Sequence, residues 1–385
     1  MVCICMMIFI YNVNHYGKRS SMIKNIELDR LERLLGYLFG NDSIFFYNPF
    51  SKICLIGSKE DLGFEKYRSD KKEFYAIPFF DNRRGSDWNS MQFGRVYFPY
   101  YYEFRVRVCD LRVKCSHTNL LKNNDIDYND WKILFNVIKN EINKGLVKKV
   151  VASRRVKFAF DSEIRIKDIL KRLLLKNPES FVFAYHSGGK TFLGATPEIL
   201  VEKKGNSIIS YALAGTEAKD GIHDNELGKR LLQDSKNIFE HKIVVDEILK
   251  TIREVTDDVS VGNLELIELK NLYHLRTRIS ARDSSISLID WVKKLHPTPA
   301  MGGKPKDKAI ELIAKYETHD RGLFASPIGI IDEKGDGIFV VGIRSALIEE
   351  SKVYAYAGCG IVEQSDCRKE YEEINTKLHT ILEAL

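Results

Sequence analysis

The 385-residue chain is short of organised cysteine. Its seven cysteines (Cys3, Cys5, Cys54, Cys109, Cys115, Cys359 and Cys367) are odd in number and include no Cys-x-x-Cys. That pattern excludes a disulfide framework and a zinc cage, and fits a reducing cytoplasm. Internal repeats, low-complexity tracts and long basic runs are also missing, so nothing marks a dedicated nucleic-acid binder. No apolar run is long enough to cross a bilayer. The apolar residues 1–11 are followed, not preceded, by their basic residues Lys18 and Arg19, the reverse of a signal peptide. Residues 1–21 therefore read as a non-native or disordered extension, with Met22 the natural start. No membrane partner is expected.

What is present is ordinary globular material, 44% hydrophobic and 29% charged, in a chain long enough to bury a sizeable core. The net charge of +6 reads as a solvated basic surface, with steering of an anionic partner as the alternative. The aromatic-basic stretch YFPYYYEFRVR (97–107) would suit stacking on bases, but a sheet strand is the commoner meaning.

Residues 22–125 are aromatic-rich and broken by Gly, Asn and Asp, which predicts short strands joined by turns. LLKNNDIDYND (120–130) reads as a connecting loop, with Asp130 capping a helix to about Asn143. Trp131, Leu134, Phe135, Ile138 and Ile142 fall at helical spacing along it. Beyond Gly145 the pattern mixes both classes. VKKVVASRRVKFAF (147–160) predicts a strand, 166–175 a helix, and FVFAYHSGGKTFLG (181–194) a hairpin turning at 187–190. Strand is expected over 199–213, one long amphipathic helix over 225–252, and a Pro/Gly loop at 297–305. A helix over 306–318, strands over 338–348 and 352–357, and a final helix over 370–385 complete the chain. This is an α+β pattern, without the regular βαβ alternation of a doubly wound fold. Gly189-Lys190-Thr191 is no P-loop, because it joins two strands instead of opening a helix.

Several residue sets carry chemistry. Glu370, Glu373 and Lys377 share one face of the last helix, just after the glycine-bearing AGCGI (357–361). They are either a salt-bridged solvent face or a place for a cation beside an anion. Glu240 sits among apolar neighbours in FEHKIVVD (239–246), and a buried carboxylate needs a lysine or a metal as partner. Hard oxygen ligands from two helices suit Mg²⁺. One of Lys148 and Lys149, adjacent in a strand, must point inward. A desolvated amine suits a general base, though a strand end with both amines in water remains open. Glu198, in GATPE (194–198), is a proton donor or a surface residue.

Nine segments then occur in order: KVVASR, FLGATPEIL, ALAGTE, FEHKIVVDEI, HLRT, HPTPAMGGKP, RGLFASPIG, VGIRSALI and YAGCGIVEQS…EYEEINTKL. Together they resemble the chorismate-utilising enzymes, a family of isochorismate synthases, salicylate synthases and the large subunits of anthranilate and aminodeoxychorismate synthases. The resemblance covers roughly residues 125–385. It implies the aminodeoxychorismate synthase-like fold, a layered antiparallel sheet core flanked by helices, with residues 22–125 the strand-rich part of the same domain and 126–385 the catalytic region. It implies Lys149 as the base that activates water and Glu198 as the acid that protonates the departing 4-hydroxyl, with a raised pKa. It implies Glu240 and Glu373 as Mg²⁺ ligands assisted by Glu370. Substrate contacts map to Gly215, Thr216, His274, Ala300, Phe324, Arg344, Gly358, Gly360 and Lys377.

Ala300 stands where ammonia-using relatives tend to carry Thr, which favours isochorismate synthase. Cys367, Ile374 and Phe324 depart from common family residues without removing a proposed catalytic group. The implied reaction is Mg²⁺-dependent conversion of chorismate to isochorismate, by a monomer that passes product to a downstream pathway enzyme of menaquinone or siderophore synthesis. Salicylate synthase, anthranilate or aminodeoxychorismate synthase, and a non-catalytic chorismate-binding protein remain as alternatives.

Overall fold

The computed structural model describes residues 24–80, 86–108, 111, 113, 120–124 and 128–385. The extension expected over residues 1–21 lies outside them, as do Cys3, Cys5, Cys109 and Cys115. In chain order the elements begin α1 (Leu28–Tyr37), β1 (Ser43–Asn48), β2 (Ile53–Ser58), β3 (Lys72–Ala76), β4 (Gly94–Val96), β5 (Tyr100–Arg105) and β6 (Leu120–Asn124). Next come α2 (Tyr128–Asn143), β7 (Lys149–Phe160), α3 (Ile166–Lys176), β8 (Phe181–Ser187), β9 (Lys190–Thr196), β10 (Ile199–Lys204) and β11 (Ser207–Ala218). Then follow α4 (Asp224–Leu231), α5 (Ser235–Arg253), β12 (Val259–Glu268), β13 (Leu272–Arg282), α6 (Leu288–Leu295), β14 (Gly303–Lys304) and α7 (Lys306–Tyr316). The chain closes with β15 (Pro327–Asp332), β16 (Gly337–Val341), β17 (Ser345–Glu349), β18 (Lys352–Ile361) and α8 (Cys367–Leu382).

The strands form two sheets. One runs β14-β7-β18-β17-β9-β8-β1-β2-β5, with β6 also on β7; the other runs β12-β13-β11-β10-β16-β15-β3-β4. Every pairing between these strands is antiparallel, as the α+β reading expects. Strands from the first hundred residues extend both sheets. YFPYYYEFRVR supplies β5, a buried strand.

The site is placed by two crossovers. β9 leaves the first sheet and continues as β10 in the second through Pro197-Glu198. β16 leaves the second and continues as β17 in the first through Gly342-Ile343-Arg344. The bends are tied together, since Ala195 N donates to Arg344 O at 3.1 Å and Val341 N donates to Glu198 O at 3.0 Å. Arg344 takes the left-handed backbone region (φ 51°) to make its bend. Such strain is tolerated only where the surroundings fix it.

Helices close the flanks. α5 packs on β11 and β13, α8 on β18, and α2 on α8 and β7. Trp131, Phe135, Ile138 and Ile142 are the buried stripe of α2, which starts at Tyr128. Asp130 therefore sits in the first turn, where its charge meets the helix dipole, and does not cap.

Other expectations need correction. The loop expected over 120–130 begins with β6, paired to β7. The strand expected over 199–213 is a hairpin turning at Gly205, β10 with β11. The long helix expected over 225–252 breaks into α4 and α5, because Asp234 accepts a hydrogen bond from Asn237 N and caps a fresh helix. The strand expected over 338–348 breaks at Gly342–Arg344.

Candidate active site

The residues singled out by motif converge from distant parts of the chain. A small chamber of about 60 Å³ is walled by Glu198, Gly215, Thr216, Glu240, His274, Ala300, Phe324, Arg344, Gly358, Gly360 and Lys377. Lys149, Glu370 and Glu373 join it through ion pairs. Lys149 heads β7 and is 1% exposed; its Nζ lies 3.0 Å from Glu240 Oε1. Lys148 is the partner that faces water. Sheet alternation thus put one of the two amines inside, as expected.

Gly360 makes room for that pair. A Cβ there would lie 2.3 Å from Glu240 Oε1 and 2.6 Å from Lys149 Cε, so any side chain would push both groups aside. On the facing strand Gly215 adopts φ +83° at a bulge between Ala214 and Thr216. The bulge turns Thr216 toward His274.

The polar groups have defined states. Burial pushes the Glu198 carboxyl up to about 8, against the pull of Lys149, Lys377 and Arg344. It is a neutral acid at pH 7. Burial would raise Glu240 too, but Lys149 and Lys236 outweigh it and bring it to about 2. Burial and the charges of Arg344 and Lys377 hold His274 well below its ordinary range, so the ring is neutral. His274 Nδ1 lies 3.2 Å from Gly215 O and 3.1 Å from Thr216 Oγ1. A carbonyl can only accept, so the proton sits on Nδ1, and Nε2 accepts from Arg344 at 2.8 Å. Burial lowers Arg344 to about 10, which leaves it charged at neutral pH. Lys377 pairs with Glu373 and donates to Gly358 O at 3.1 Å. The chamber therefore presents two cations, the Glu240 carboxylate and a neutral acid, with the buried Lys149 amine behind its wall.

The carboxylate face can hold a metal. Among the described residues no three of His, Cys, Asp and Glu form a ready-made cage. Instead Lys236, which the motifs did not single out, bridges the cluster at 3.5 Å from Glu240 Oε2 and 2.9 Å from Glu370 Oε1. Glu370 Oε2 is buried with no hydrogen-bond partner among the described residues. Burial and the nearby charges of Glu373 and Glu240 raise the Glu370 carboxyl, with Lys236 opposing. Three mutually repelling carboxylates, one with an orphaned oxygen, fit a hard divalent cation. Lys236 lies one helical turn before Glu240, the ordinary spacing of a solvated helix ion pair, so the sequence alone does not mark it.

A second missed group braces the wall opposite. Arg321 is fully buried and donates to Met301 O at 2.9 Å and Val151 O at 2.7 Å, while gripping Glu317 at 2.6 and 2.8 Å. Met301 and Val151 both line the chamber. Glu317 Oε1 in turn accepts from Ser153 N at 2.8 Å. The brace ties the Pro/Gly loop that carries Ala300 to β7. Phe324 stacks on Tyr356, ring centroids 5.4 Å apart.

Known proteins resemble this chain in sequence and fold. The family model for chorismate binding enzymes matches residues 106–385. The isochorismate synthase MenF of Bacillus subtilis (strain 168) is 40% identical over 266 residues, 68% of this chain and 56% of that protein. The chain spans about half the length of such curated relatives. Among solved structures, the DhbC protein of Bacillus anthracis, assigned as a 2,3-dihydroxybenzoate-specific isochorismate synthase, superposes with a TM-score of 0.79 at 25% identity. That match covers 92% of this chain and 98% of the other. The menaquinone-specific isochorismate synthase MenF of Escherichia coli, at 21% identity and TM-score 0.77, covers 92% and 90% and has the same fold.

Proposed function

The chain belongs to the chorismate-binding enzyme family, and from that premise we propose that it converts chorismate to isochorismate with Mg²⁺ bound. The observation that carries this reading is the pairing of a neutral buried acid, Glu198, with a buried amine, Lys149, at one cation-lined chamber. The reaction needs both. Lys149 would act as the free amine, having given up its ion pair with Glu240 and lost its proton to solvent; water then adds at C2 while its proton passes to that amine, the diene double bonds shift, and the C4–O bond breaks. Glu198 gives its proton to the departing hydroxyl, which leaves as water. One water enters and one leaves, and the proton gained by Lys149 is returned through solvent to Glu198, so the net change is an isomerisation.

Chorismate carries two carboxylates. Arg344 and Lys377 would hold them by charge, and the Arg344 fork adds orientation. The neutral His274, fixed by Gly215 O, keeps the Arg344 fork in place. Ala300 presents a methyl group where a hydroxyl would hold a different nucleophile, which supports water over ammonia. Glu240 and Glu373, with Glu370 behind them, would hold Mg²⁺. Bound there, the ion supplies a hard positive charge that neutralises and orients the ring carboxylate.

Purified protein given chorismate and Mg²⁺ should produce isochorismate with no release of pyruvate, read by proton NMR and a coupled pyruvate assay. Stoichiometric pyruvate would make it a salicylate synthase instead. Tight chorismate binding without turnover would make it a binding protein. In calorimetry, Glu240→Gln should weaken Mg²⁺ binding and lower activity together. An unchanged metal titration would remove Glu240 from the ligand set.

A further inference from the structure

The chamber as it stands holds about 60 Å³, whereas small-molecule sites generally run to roughly 300 Å³ or more. Most of its polar wall is buried, Glu198, Glu240, His274 and Arg344 included, while Thr216 and Lys377 are partly exposed. A second cavity of about 330 Å³ adjoins it, and Arg344 lines both. The partition is the second crossover together with the first, since Ala195 and Pro197 face the outer cavity while Glu198 faces the inner one.

The outer walls have a consistent chemistry. Lys176, Lys219, Lys270 and Arg344 line it beside Glu179 and Glu268, and its lysines are held in ion pairs, Lys219 with Glu268 and Asp224, Lys176 and Lys270 with Glu383. The mouth is spanned by ion pairs. Glu383, at the end of α8, takes Lys270 and accepts from Asn271 Nδ2 at 3.2 Å, both on the turn between β12 and β13. Lys219 pairs with Glu268 at 2.6 Å and donates its backbone N–H to Asn271 O. Surface ion pairs of this kind contribute little and exchange readily.

We propose that the outer cavity is an entry vestibule for a dicarboxylate substrate, and that the Arg344 side chain is the movable partition between vestibule and chamber. The proposal rests on the reading of chorismate as substrate. The Arg344 Cα is fixed by the crossover, so only its side chain needs to turn, releasing the bond to His274. A carboxylate arriving among the vestibule lysines meets the guanidinium before the chamber opens, and the same fork then carries it inward. With Arg344 turned, the two cavities merge into the size range of an ordinary substrate site.

Stopped-flow quenching of protein fluorescence by chorismate, with Mg²⁺ and the full-length chain, tests this. The double variant Lys219→Met/Lys270→Met should associate about tenfold more slowly at low salt. That difference should vanish in about 1 M salt, where such fields are screened. Thr380→Trp, which fills the vestibule from α8, should slow association at every salt concentration. Both variants should keep the wild-type kcat at saturating substrate, which also shows that they fold. Wild-type association rates in both variants overturn the vestibule and leave the reading of function intact. Slowing in Lys236→Met alone would place entry on the carboxylate face and overturn it as well. A wild-type protein that neither binds nor turns over chorismate overturns the functional reading and the vestibule together.

Discussion

At the scale of single residues, the proposed catalysis turns on one carboxyl and one amine. In the proposed reaction Glu198 donates a proton, so its protonated form would be the competent one. With its pKa pushed up to about 8 by burial, that form dominates at neutral pH and is depleted as pH rises through about 8. The kcat profile should therefore fall on the alkaline side, and the limb should disappear in the residual activity of Glu198→Gln. An identical alkaline limb in that variant would assign it to another group. Lys149→Ala should lower turnover by about 10²–10⁴-fold, the usual worth of a positioned base. Chorismate affinity should stay near wild type, because Arg344 and Lys377 remain. Near-normal turnover would sink the base role. Lys149, Glu198, Glu240 and Arg344 were all readable from the sequence, since each lies in a distinctive segment. Lys236 was not, because a lysine one turn from a carboxylate usually marks a solvated helix face. Only the tertiary approach of α8, bringing Glu370 within 2.9 Å, gives it another meaning.

At the scale of elements, the legible parts were those with strong local periodicity. The buried stripe of α2 and the glycine turn of the β8–β9 hairpin are set by neighbours a few residues away. The breaks were harder. The polar stretch Gln233-Asp234 reads as part of one helix, yet the Asp234 cap opens α5 as a separate helix. The split of β16 from β17 follows from a strand changing sheets, an event with no local period. The Arg321 brace is another tertiary feature, joining α7, β7 and the Pro/Gly loop. Arg321→Met would leave Glu317 buried and unpaired, since burial opposes its charge and Arg321 sustains it. Such a break costs about 3–5 kcal/mol. Urea unfolding should show a loss of that size, and a loss below about 1 kcal/mol would mean that Glu317 finds another partner.

At the scale of the molecule, the two sheets are assembled from strands far apart in sequence. β1 pairs with β8, and β3 with β15, so the N-terminal aromatic segments could be read as short strands but not assigned to a sheet. Ordered motifs implied the architecture before any pairing was known, because several of them, GATPE and VGIRSALI among them, lie on the crossovers that join the two sheets. The consequence is a site that exists only when both sheets are complete, with the acid on one crossover and the anion fork on the other. In the proposed reaction water, held for addition at C2, is the nucleophile. Turnover of chorismate in H₂¹⁸O, followed by mass spectrometry of the product, tests that claim most directly. The account predicts isochorismate carrying one solvent oxygen, as its C2 hydroxyl. Isochorismate with no solvent oxygen, or chorismate left unconverted with Mg²⁺ present, would contradict it.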